Sequence, residues 1–127
     1  MTLVDKIFTI QNTVPFNTLR HSEIILTANI SSVKKFSKGS PLTSTDVAIQ
    51  NLYVIIQGEV SYDGKKISNF FGAEELLNDI VLDKEIICES DVEVLLISKG
   101  HFFTLIYECP GLMIELLAHF QNNRIES

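Results

Sequence analysis

Apolar residues at the start of the chain recur at helical spacing. Leu3, Ile7, Phe8 and Ile10 fall on one side of a short helix, with Thr2 placed to cap it. Val14-Pro15-Phe16 reads as a connector, because proline pushes the residue before it out of the helical region. Ser22 is placed to cap a second short helix carrying Ile24, Ile25 and Ala28. From residue 30 the rhythm shortens to that of strands. ISSVKKF reads as a strand, KGSP as a turn and STDVAIQN as a polar loop. The run Leu52 to Ile56 meets Gly58, resumes from Glu59 to Tyr62, turns at Asp63-Gly64 and returns through Lys65 to Ser68. Asp-Gly between alternating residues predicts a hairpin in which both turn residues take positive φ. The Tyr53-Val54-Ile55-Ile56 stretch is expected to hold the core, with Ile55 pointing inward. EIICE and VEVLLIS give two more short strands. HFFTLIYECPGLMIELLAHFQNN then reads as a helix, a break at Pro110 and a second helix with little polar face.

The chain therefore predicts one mainly β domain over residues 1–127, with flanking helices: a helical lead over 1–28, a β-roll over 30–98 and C-terminal helices over 100–123. Its 127 residues are enough for a real core and too few for two domains. No run of about 18 apolar residues occurs, so no membrane span is predicted. MTLVDKIFTIQ has no small-residue cleavage site, so it does not read as a signal peptide. A formal charge of −6 argues against nucleic acid as a partner. Cys88 and Cys109 stand far apart in apolar surroundings and read as buried reduced thiols, which fits a cytoplasmic protein.

The ordered set of signals is similar to that of a known family. A helical lead is followed by V-x-x-F-x-K-G-x-x-L, L-Y-V-I-I-x-G-E-V, a D-G-K hairpin, F-F-G-x-x-x-L-L, S-D-V-E-V-L-L-I and F-x-x-L-x-x-x-x-P. Over roughly residues 3 to 120 this resembles the cyclic nucleotide-binding domain family. The resemblance implies an eight-stranded β-roll of jelly-roll type, with an N-terminal helical bundle and C-terminal helices that pass on the ligand's effect. It also implies a phosphate cassette, F-G-E-x-A-L-L with leucine or another residue at x, followed after a few residues by P-R-[ST]-A-T. In that cassette a glycine and a short helix present N–H groups to the cyclic phosphate, a glutamate holds the ribose hydroxyl and an arginine forks onto the phosphate.

Laid on that pattern, Phe70, Phe71, Gly72, Leu76 and Leu77 match. The glutamate position holds Ala73, with Glu74 one place on as a conceivable substitute. The arginine position holds Leu82, and Asp83 stands where serine or threonine is implied. From Glu74 to Glu93 there are eight acids against Lys84, a local charge of −7, and the two arginines, Arg20 and Arg124, lie near the chain ends. Losing the charged contact removes about 1.5–3 kcal/mol and losing the hydroxyl contact about 1. The cassette-equivalent positions Phe71, Gly72, Ala73, Glu74, Leu82 and Asp83 thus read as a phosphate site whose chemistry has been removed.

The other residues carry little chemistry. His21, His101 and His119 are scattered, without metal-ligand spacing, and an enzyme on a cupin-like roll would need them clustered. Lys34, Lys35 and Lys38 read as a solvated strand face. Phe102, Phe103, Tyr107, Met113 and Phe120 read first as core and second as a partner-binding stripe. The expectation is a non-catalytic regulatory module with no cofactor, acting through its C-terminal helices on an attached domain or a protein partner, or packing as a homodimer. The alternative is a working sensor of cAMP, cGMP or another small ligand.

Overall fold

The β-branched run Asn51–Gln57 forms strand β2, the middle of a four-stranded sheet. The computed structural model describes the backbone of residues 1–126 and the side chains of residues 1–120. Contacts divide these residues into two units, Ser32–Lys99 and Met1–Ser31 together with the residues from Gly100 onward.

In the β unit, β1 (Ser32–Phe36), β2 and β7 (Val92–Ser98) join β5 (Phe70–Phe71) in the order β1-β7-β2-β5. A second sheet has the order β4-β3-β6, from Val60–Tyr62 (β3), Lys65–Ile67 (β4) and Ile86–Cys88 (β6). All pairings are antiparallel. The hairpin between β3 and β4 turns as the sequence predicts, with Asp63 at φ 52° and Gly64 at φ 78°. Leu52, Val54, Leu95 and Ile97 share one face of the four-stranded sheet and are fully buried, and Val94, on the other face, is buried as well.

Two expectations for this unit need correction. Ile55 is only half-buried, because strand alternation puts Leu52 and Val54 on the deeply buried face and Ile55 on the other. The described residues form seven strands, where eight were expected. Between β1 and β2 the chain makes two isolated bridges, Pro41↔Ile87 and Ala48↔Val81, and no ladder. Pro41 has no N–H to give, and Asp46 takes a left-handed φ of 57°, sending its N–H to the Leu82 carbonyl at 3.0 Å.

In the helical unit, α1 (Leu3–Gln11) packs on α2 (His21–Ile30). Thr2 caps α1 as predicted: its hydroxyl accepts the Asp5 N–H, and the Asp5 carboxylate accepts the Thr2 N–H. Ile7 and Ile10 turn inward, whereas Leu3 and Phe8 remain exposed. Ser22 does not cap α2. The helix starts two residues earlier, at His21, because Glu23 reaches back 2.8 Å to the Arg20 N–H and fixes Arg20 as the capping position. The predicted break near Pro110 is real. α4 (Lys99–Glu108) and α5 (Pro110–Glu126) meet at 110°, with Pro110 in the first position of α5, where its missing N–H costs nothing. Along α5, Leu112, Leu116 and Phe120 recur every four residues and are buried, while Ile114 and Leu117 point outward. The part of the predicted helix after residue 120 lies outside the described side chains. No single described helix is long and apolar enough to cross a membrane.

Candidate functional site

The glycine-led turn after β5 is fixed by strand pairing. Phe71 pairs with Tyr53 and stacks on it, ring centres 4.5 Å apart and 10° from parallel. The Tyr53 hydroxyl in turn donates to the Leu42 carbonyl at 3.1 Å. Gly72 follows at φ 101°, and a Cβ there would stand 2.7 Å from the Asn51 carbonyl oxygen. Only glycine fits so close to β2 in that conformation. Gly72 caps the six-residue helix α3 (Ala73–Asn78), which lies against β2 and opens when Leu76 donates to the Gly72 carbonyl at 2.9 Å.

Ala73, at the position implied for the ribose-binding glutamate, is 1% exposed, so its methyl group is part of the core. Glu74 is half-buried in the first turn of α3. Its neighbour Glu75, which the sequence reading passed over, is the more informative acid. Burial, then the Glu74 carboxylate beside it, push Glu75 above the ordinary carboxylate range. The backbone N–H dipoles of Glu75 itself and of Gly72 pull the other way. The only sequence signal for this was two adjacent acids directly after a glycine at the start of a helix.

Leu82 and Asp83 stand on the loop after α3 and are held by other partners. Leu82 is half-buried, and its carbonyl accepts the Asp46 N–H. Asp83 accepts the Tyr62 hydroxyl at 2.6 Å, which lowers its carboxyl below the ordinary range and raises the phenol. Lys84 pairs with Asp63 at 2.7 Å, so this loop is pinned to the end of β3 and to the turn that follows it. Other lysines of the unit are also matched with acids: Lys66 with Glu59, Lys35 with Glu93 and Lys99 with Asp79. A groove of about 350 Å³ beside Phe36, Gln57 and Asp91 includes none of the cassette positions.

The remaining candidates are structural. Lys34 and Lys35 are exposed on β1 and Lys38 in the turn that follows, as expected. Both cysteines are free and buried. The Cys109 thiol donates to Glu23, and burial followed by that carboxylate pushes it up to about 11. Such a thiol is a poor nucleophile. Among the described residues, no three His, Cys, Asp or Glu side chains gather as metal ligands do. Of the aromatic stripe, Phe102 and Phe120 are buried, Met113 is half-buried, and Phe103 and Tyr107 are exposed.

No protein-family model and no curated protein matches the chain. Solved structures do. The regulatory subunit of a cAMP-independent protein kinase A from Trypanosoma cruzi, bound to guanosine, matches 82% of this chain at TM-score 0.72 and 20% identity, over 41% of its own length. The catabolite activator protein of Thermus thermophilus matches 87% at TM-score 0.73 and 20% identity, over 58% of its own. This chain has the cyclic nucleotide-binding domain fold. A third match, the cAMP-independent regulatory subunit from Trypanosoma brucei, is a triple variant bound to cAMP in its A site. It covers 93% of this chain and 46% of the other at TM-score 0.75 and 19% identity. Its replacements are glutamate to alanine and, seven and eight positions on, threonine to arginine and valine to alanine. The chain spans about half the length of these structures, and their names are those of regulatory proteins.

Proposed function

We propose that this chain is a non-catalytic regulatory module that does not bind cyclic nucleotide usefully and acts through α4 and α5 on a partner or an attached domain. The observation that carries the first part is the placement of Leu82 at the cassette's arginine position, with Glu75 at the start of α3. The three replacements in the T. brucei variant have the spacing of Glu75, Leu82 and Asp83 here. In each case the unaltered residues are an acid, a non-basic residue and a second non-basic residue. Ala73, buried and without a carboxylate, removes the ribose anchor as well.

Support for the second part comes from α4 and α5. Tyr107 is 85% exposed, Ile114 67% and Leu117 48%, apolar area of the kind that interfaces cover. In longer proteins with this fold, an attached domain is a ready occupant.

A second reading has one observation in its favour. The acidic run around α3 repels a phosphate but tolerates an uncharged, hydroxyl-bearing ligand, and the T. cruzi neighbour holds guanosine. Calorimetric titration of the purified chain with cAMP, cGMP and guanosine at moderate salt tests both. A dissociation constant for either cyclic nucleotide tighter than about 10 μM, some −7 kcal/mol, overturns the proposal. Guanosine binding without cyclic nucleotide binding selects the second reading.

A further inference from the structure

The groove of about 350 Å³ opens where three strands end, and it lies wholly inside the β unit. β1 brings Lys35 and Phe36 to it, β2 brings Gln57, and β7 brings Glu93, with Asp91 just before the strand. Its volume is that of a small-ligand site. Strand register sets the order of its polar groups. Glu93 pairs with Lys35 on one side and with Gln57 on the other. An ammonium, a carboxylate and a carboxamide therefore stand side by side on one face of the sheet.

The frame behind these groups is fixed. Gly58 takes φ 96°, and a Cβ there would come within 2.3 Å of the Asp91 carbonyl oxygen, so the chain leaving β2 rests directly on the start of β7. One Asp91 carboxylate oxygen accepts the Lys38 N–H at 2.9 Å, and the Ser90 hydroxyl accepts the Glu59 N–H at 3.0 Å. The ion pair, by contrast, is loose. Lys35 Nζ stands 3.8 Å from the Glu93 carboxylate, and its side chain is 79% exposed against 23% for Glu93. So exposed a pair holds little energy, and the ammonium can turn onto another acceptor at small cost. The groove thus presents one mobile cation and two anchored anions beside the half-buried Phe36 ring.

We infer that this groove is a second ligand site, apart from the cassette, and that it takes a small zwitterion with an apolar body: a free α-amino acid with an aliphatic or aromatic side chain. The ligand's ammonium meets Asp91 and Glu93, its carboxylate takes the Lys35 ammonium, and its side chain lies on Phe36. A ligand with both charges leaves every charge of the groove matched. A ligand with one charge leaves either Lys35 or the acids short of a partner, and that shortfall is what discriminates. The inference stands or falls independently of the cassette.

The test is an NMR titration of the full, isotope-labelled chain with leucine and phenylalanine, and with the amide and N-acetyl derivatives of each, at a pH where the amines are protonated. Saturable shifts are expected with the free amino acids at the backbone amides of 35–37, 57–58 and 91–93, and both kinds of single-charge derivative should bind about tenfold more weakly. General attraction to a chain of charge −6 gives the reverse order, with the cationic amides binding best. That order overturns the inference. Lys35→Met and Asp91→Asn should each weaken amino-acid binding about tenfold. Asparagine keeps an acceptor for the Lys38 N–H, so the frame survives the change. Asp63→Asn removes the same charge from the β3–β4 turn and should leave binding unchanged. Equal losses in the Asp91 and Asp63 variants overturn the inference, as do shifts centred outside the groove. Absence of saturable shifts with either amino acid by about 10 mM, far weaker than a binding site of this chemistry, overturns it too. Thermal melts report whether each variant is folded, and where one is not, the order of the ligands on the wild type decides.

Discussion

At the scale of single residues, the sequence and the structure disagree most usefully at Glu75. Its identity was visible in the chain, but its half-burial depends on how α3 seats against β2. No periodicity reports that. Thr2 and the Asp63-Gly64 turn were legible because their causes are local: a hydroxyl three residues from an open amide, and two residues that accept positive φ. The start of α2 was misread for an equally local reason, since Glu23 serves the Arg20 amide and leaves Ser22 inside the helix. Glu75 also makes a pH prediction. Its carboxyl is raised in the fold, so the folded chain binds the proton more tightly than the unfolded chain does. Stability from this group is therefore greatest at low pH and declines as pH rises from the ordinary carboxylate range through the raised folded value. Asp5, Glu23 and Asp83 are lowered and act in the opposite sense, so only the difference between wild type and a variant isolates Glu75. Glu75→Gln should raise the urea midpoint at pH 7 and gain less at pH 4. Equal gains at the two pH values would show that the carboxylate carries no burial penalty.

At the scale of elements, apolar runs located the strands, but alternation alone did not say which face of β2 is the deeper. Both faces of Leu52-Tyr53-Val54-Ile55 are apolar, so the pattern has no polar position to mark the outside. The partners decide: Val54 pairs with Leu95 and is closed in, whereas Ile55 lies next to the irregularity before Gln57. Val54→Asp should therefore bury an unpaired carboxylate at a cost of several kcal/mol, a large share of the roughly 5–15 that hold a domain of this size. Ile55→Asp, half-buried, should cost only about 1–2 kcal/mol. Thermal melts of the two variants check the order, and an Ile55 variant that melts lower than the Val54 variant would reverse the assignment of faces. The missing eighth strand has the same lesson at its root. STDVAIQN was legible as a loop, and around it Pro41 and the left-handed Asp46 leave only isolated bridges.

At the scale of the whole molecule, the question is which side of α5 is open to a partner, and the composition of the helix narrows it. The sequence showed a helix with too many apolar residues for one buried face, but it could not assign them to sides. Phe120, read first as core and second as part of a partner-binding stripe, is buried, and Leu116 is 0% exposed. The outward apolar residues are Ile114 and Leu117, with Tyr107 and Phe103 on α4. A helix exposing such residues either meets a partner or a second copy, for which a twofold dimer is the common closed arrangement. Glutamates at Ile114 and Leu117 place charge on this outward side without opening the core, since neither side chain is buried. The double variant Ile114→Glu, Leu117→Glu should keep the wild-type melting midpoint to within a few degrees while lowering self-association in sedimentation velocity. Leu116→Glu, by contrast, should lose cooperative melting, because it drives a carboxylate into the core beside Leu112 and Phe120. If the wild type is monomeric at high concentration, self-association is ruled out, and the same double variant then serves against an attached domain or partner. If it is the Ile114, Leu117 pair that unfolds the chain, these residues are core and the outward face of α5 cannot be the output surface.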